Sequence, residues 1–123
     1  MEPTNEDKKR LKEEFKNRKQ TAGVFTITNT TNGRVFLGSC LDADRPLRRI
    51  QFELELGSFS FNNPELQEDF MAHGKESFHF EVVETVAESE EKPEEALERL
   101  EEKHLARLDR SNTYNRGDRI RFR

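Results

Sequence analysis

The chain has 123 residues, room for one domain with one modest core. Hydrophobic residues make up 32% and charged residues 37%, so charged faces and tails must surround a compact centre, much of it supplied by ten phenylalanines. A net charge of −4 argues against wholesale coating of nucleic acid, no apolar run approaches the ~18 residues of a membrane span, and one cysteine excludes an internal disulfide.

Residues 5–20 are expected to form a charged helix, with Thr4 and Asp7 in a capping arrangement and Leu11 with Phe15 as a narrow apolar contact. Two strands follow, 22–29 and 34–39, joined through Asn32-Gly33, a strong hairpin signal because both residues tolerate φ > 0. Phe25 and Ile27 share one face of the first strand; Phe36 and Gly38 share one of the second.

A helix is predicted over 45–56, with Pro46 in its first turn, Leu47, Ile50 and Leu54 at helical spacing, and Gly57 at its end. Another runs from Pro64 to His73, capped by Asn63 and stopped by Gly74, with Leu66 and Phe70 inward. Phe78, Phe80 and Val82 alternate in a half-buried strand over 78–86, and 89–109 carries the clearest helical pattern. The last residues combine turn formers with alternating arginines and are expected to be irregular. The order β-β-α-α-β-α predicts an α/β (α+β) fold with a small antiparallel-rich sheet flanked by helices. We divide the chain into a helical extension (1–21), a domain (22–116) and a basic tail (117–123).

Basic residues cluster in the first twenty positions, at Arg45, Arg48 and Arg49, and again from Arg110 to Arg123, while the acidic excess lies in Glu84 to Glu102. A basic stripe of this kind binds phosphate even on an acidic molecule; ordinary solvated charge gives the same pattern. Cys40 reads more readily as a small buried residue than as a nucleophile, and its isolation suits a reducing, cytoplasmic setting. The CxxC, CxxH and HxxxE spacings of zinc sites are missing.

One carboxylate stands out. On the last helix Glu101 lies one turn after Leu97 and one turn before Leu105, inside the apolar stripe, whereas Glu95, Glu98 and Glu102 fall outside it. A carboxylate there needs an ion partner, hydrogen bonds or a metal. It is either a site residue or the partner of an arginine from the 45–49 helix. Of the histidines, His73 and His79 read as solvent-facing, and His104 as a satisfied core residue.

Gly23-Val24-Phe25, ten intervening residues and Phe36-Leu37-Gly38 have the spacing of a GIY…YIG signature. ITNTTNG at 27–33, GSC at 38–40, the 66–84 segment, EALERLEEKHLARL at 95–108 and Tyr114-Asn115 extend the match. From Gly23 to Asn115 the chain resembles the GIY-YIG nuclease superfamily, in particular the catalytic domains of phage homing endonucleases and the nuclease domain of the excision-repair endonuclease. The resemblance implies a metal-dependent nuclease site with Phe25 and Phe36 at the two tyrosine positions. It implies Arg45 or Arg49 near the phosphate-steadying arginine, Glu101 as the ligand of Mg²⁺ or Mn²⁺, and Asn115 at the terminal asparagine. It also implies DNA or RNA as partner, with Arg34, Arg45, Arg48, Arg49 and Arg116 as candidate contacts.

Departures from the signature remove chemistry. Phe25 and Phe36 keep the ring and lose the hydroxyl, so neither transfers a proton. Pro46 occupies the usual arginine position, and Ile50 stands where many members carry histidine. Two functions are therefore expected in competition: a weak, divergent metal-dependent nuclease, or a catalytically degenerate fold that binds nucleic acid or a protein.

Overall fold

The computed structural model describes residues 21–116 and 120–122; the helix expected over 5–20 lies outside them. Three strands form one antiparallel sheet in the order β2-β1-β3: β1 Gly23–Asn29, β2 Val35–Cys40 and β3 Phe78–Thr85. Three helices flank it: α1 Asp44–Leu56, α2 Pro64–His73 and α3 Pro93–Arg107. This is the expected element order, with end points moved by a few residues.

The largest move is at α3, which starts at Pro93 rather than at residue 89. A proline lacks the amide a helix interior needs, so it serves as the first helical residue. Asn63 caps α2 as its position suggested, its side chain accepting from the Leu66 amide. Gly57 ends α1 at φ 83°, a left-handed conformation that favours glycine.

The hairpin loop spans 30–34, one residue more than the expected 30–33. Among the described residues only glycines take positive φ, so Asn32 does not. The chain instead makes a longer loop organised by buried Asn29. Its carbonyl accepts from the Gly33 amide at 2.8 Å, and its side-chain oxygen accepts from the Thr31 amide at 3.0 Å. An Asx-type bond substitutes for the second left-handed residue.

Alternation along the strands splits the core between the two sheet faces. Phe25, Ile27 and Phe36 pack on one face with Ile50 and Leu54 of α1, Phe59, and Leu66 and Phe70 of α2. Val24 and Leu37 pack on the other with Leu97 of α3. Helices α1 and α3 thus lie on opposite faces, which decides what can meet in the site.

The outer edge of β2 is covered by the chain beyond α3. Tyr114 donates its amide to the Val35 carbonyl at 2.9 Å, Ser39 donates to the Ile120 carbonyl at 2.9 Å, and Phe122 donates to the Ser39 carbonyl at 2.7 Å. Two single-residue parallel bridges, Val35 with Thr113 and Ser39 with Arg121, occupy hydrogen-bonding groups that an exposed edge would offer to another chain.

Candidate active site

The signature residues meet around the end of β2. Phe25 lies opposite Gly38 in the β1–β2 register, with its ring against the glycine backbone. A Cβ on Gly38 would come within 2.3 Å of the Phe25 ring. Only glycine leaves room for that ring. Phe25 is fully buried and Phe36 nearly so, and both pack against Phe122, with ring centroids 5.7 and 6.1 Å away. Ile50 closes the same cluster, and Pro46 beside it on α1 is also buried. Hydrocarbon therefore fills the face where the resemblance implies proton-transferring groups.

Glu101 lies around the edge of the strand. It accepts a hydrogen bond from the Ser39 hydroxyl at 2.6 Å, and Ser39 points to the opposite face from Gly38. Arg121 grips the same carboxylate with two nitrogens, Nη2 at 2.6 Å and Nε at 3.1 Å. The Glu101 side chain is 12% exposed and that of Arg121 37%. The bond to Glu101 raises the guanidinium pKa above its usual value, burial opposing. A paired Glu101 was one of two expectations, but its partner comes from the tail rather than the 45–49 helix. Helix α1 is on the other side of the sheet.

The remaining candidates are dispersed. Arg45, Arg48 and Arg49 are exposed on α1, and Arg49 faces Glu53 at 4.0 Å. No hydrogen bond or ion pair joins them to Glu101 among the described residues. Arg34 and Arg116 both bind Glu65, whose pKa is lowered first by the Arg34 bond, with burial opposing. Arg34 also lies over the Tyr114 ring, 4.4 Å from its centroid. Asn115 clamps β2: its side chain accepts from the Leu37 amide at 2.8 Å and donates to the Leu37 carbonyl at 2.7 Å. Those bonds copy a strand pairing and occupy both ends of the amide. His104 is satisfied by Glu84 at 2.7 Å, while His73 and His79 are exposed.

Ser39, Arg121 and Phe122 were not among the sequence candidates. A signal for the last two existed. Ile120 and Phe122 alternate with Arg119, Arg121 and Arg123, a period-two pattern that marks extended chain with one apolar face.

A β-β-α-α-β-α chain with a three-stranded antiparallel sheet, a glycine-backed aromatic on β1 and an inward glutamate on α3 has the GIY-YIG nuclease-like fold. Two solved structures superpose on it. A mutant form of the catalytic domain of intron endonuclease I-TevI matches with a TM-score of 0.61 and 27% identity, over 80% of this chain and 95% of that one. The catalytic domain of homing endonuclease I-TevI matches with a TM-score of 0.56 and 26% identity, over 78% and 98%. No protein-family model and no curated protein sequence matches the chain.

A nuclease of this fold implies a divalent cation. Among the described residues no group of three or more His, Cys, Asp or Glu side chains is placed to hold one. Mg²⁺ makes do with one carboxylate when waters and substrate phosphate complete its shell. Both oxygens of Glu101, however, already face the Arg121 guanidinium, so an ion there would meet a like charge. This arrangement does not fit the ion. No helix among the described residues is long and apolar enough to cross a membrane.

Proposed function

We propose that this chain is a DNA-binding domain of nuclease-like fold in which strand cleavage is not the working activity. The observation that carries the reading is the Arg121–Glu101 pair, which sets a guanidinium against the carboxylate that the sequence resemblance makes the metal ligand. The filling of the opposite face by Phe25, Phe36, Ile50 and Phe122 supports it, since none of these side chains moves a proton. DNA enters the reading because the superposable structures are catalytic domains of a homing endonuclease. Arg45, Arg48 and Arg49 supply cations for phosphate on one helix.

Binding to labelled duplex DNA across a salt series tests this. Three phosphate contacts give a log–log slope of about −2.7. Reversing the charge of Arg45, Arg48 and Arg49 together should remove most of the affinity. Absence of binding at low salt overturns the proposal.

A second reading, an attenuated metal-dependent nuclease, is favoured by one feature: Glu101 keeps its inward position on α3 despite the cost of burying a carboxylate. Supercoiled plasmid incubated with Mn²⁺ separates the two readings. We expect the plasmid to remain intact with the natural chain and with Phe25 and Phe36 both changed to Tyr. Nicking that disappears in Glu101→Ala would establish the second reading.

A further inference from the structure

The exposed side of α1 is composite. Relative to Arg45, the residues Arg48, Arg49, Phe52 and Leu56 stand 3, 4, 7 and 11 positions on. At 3.6 residues per turn they fall within an arc of about 100°. The opposite side carries the buried Pro46, Ile50 and Leu54. The helix's acids, Asp44, Glu53 and Glu55, lie beyond the arc's margins, about 70–90° from its centre, and Glu53 faces the half-exposed Arg49 at 4.0 Å. Phe52 and Leu56 are 61% and 66% exposed, and Phe61, in the short 3₁₀ turn after α1, is 92% exposed. One helix face thus offers three cations followed by apolar side chains.

Single-stranded DNA has this order of chemistry within each nucleotide, a phosphate and then an unpaired base. Arg48 and Phe52 are about 6 Å apart along the helix axis, at 1.5 Å per residue. A phosphate held by Arg48 or Arg49 therefore leaves its base within reach of the Phe52 ring. In a duplex the bases are stacked inside, so the arginines find phosphates while Phe52 and Leu56 find nothing apolar. An acidic protein would match the arginines but has no general reason to match the ring.

We infer that this face of α1 binds single-stranded DNA, with Arg45, Arg48 and Arg49 on the phosphates and Phe52 stacked on a base. The inference rests on the DNA-binding reading above and names its substrate class.

The chain has no tryptophan, so Phe52→Trp introduces a single reporter on this face. Titration with a short oligothymidylate should quench its fluorescence, whereas the matching duplex should leave it nearly unchanged. In fluorescence anisotropy Phe52→Ala should weaken single-strand binding roughly 5- to 100-fold, the range for loss of one aromatic–base stack, and Phe52→Trp should retain it. Duplex affinity should change less than about 2-fold in either variant. If the chain binds neither form at low salt, the DNA-binding reading falls and this inference with it. If both forms bind and Phe52→Ala weakens neither, the inference is overturned and DNA binding stands. Quenching by anionic vesicles as strong as by the oligonucleotide would likewise overturn it, in favour of a membrane surface.

Discussion

Changing Arg121 to Met removes the guanidinium from Glu101 and keeps an unbranched apolar stem. The carboxylate, 12% exposed, is then left with the Ser39 hydroxyl as its hydrogen-bond donor among the described residues. Stranding one charge of a buried pair costs about 3–5 kcal/mol, whereas an exposed pair contributes about 0.2–1 kcal/mol. Glu101 is sheltered but Arg121 is 37% exposed, and water can enter where the guanidinium stood. We therefore expect a loss of about 2 kcal/mol for Arg121→Met. Glu101→Gln in that background removes the stranded charge while its amide oxygen still accepts from Ser39, and should restore about half of the loss. Urea unfolding of both single variants and the double variant, followed by far-ultraviolet circular dichroism, gives the coupling directly. A coupling of about 1–2 kcal/mol is expected. If the single effects add to within ~0.3 kcal/mol, Arg121 is not the counterion of Glu101 and the carboxylate is free to take a metal ion instead.

Three further outcomes follow from the same structure. Gly38→Ala drives a methyl group into the Phe25 ring and should destabilise the domain by about 1–3 kcal/mol; pairing it with Phe25→Leu should recover part of this in the same unfolding assay. Tyr114 is the only tyrosine, so phenolate absorbance reports it alone. Burial, aided by Asp69, pushes its pKa from 10.0 up to about 12. The unfolded chain then ionises first, stability falls as pH rises through that window, and reversible ionisation near pH 10.0 in the folded protein would refute the assignment. At the acid end Glu65, held low by Arg34, contributes stability that is complete above its unfolded value of 4.5 and is lost as pH falls through its lower native value. Arg34→Gln should flatten that part of the pH dependence of the urea midpoint, and an unchanged profile would remove Arg34 as the cause.

Much of the fold was legible because its signals are local. Asn63-Pro64 and Gly74 bound α2 through a cap, a missing amide and a glycine at positive φ, each acting within a few positions. Pro93 marks the start of α3 in the same way, and the charged residues before it, 89–92, share the helix's composition but stay outside it. The hairpin is legible from Asn32-Gly33, but its loop is set by Asn29, whose side chain takes the Thr31 amide and hydroxyl while its carbonyl takes the Gly33 amide.

The site was legible only in part. Helical spacing put Glu101 in the buried stripe of α3, and its carboxylate is mostly enclosed. Arg34 and Arg116 looked like phosphate contacts from their charge, yet they converge on Glu65, 31 and 51 positions away. Asn115 looked like a site residue and serves as a clamp on Leu37, 78 positions back. Charge and residue type indicate what a side chain needs, and the need is met by whichever group folding brings near.

By itself the sequence determined the six main elements, the strand faces of Phe25 and Phe36, and the need for a cation or hydrogen bonds at Glu101, because each follows from periodicity or backbone sterics. The tertiary structure decided which cation meets that need. The sheet separates α1 from α3, and the returning chain lays Ile120 to Phe122 along β2. Arg121 is thereby delivered to Glu101, and Phe122 to the two phenylalanines that mark the signature.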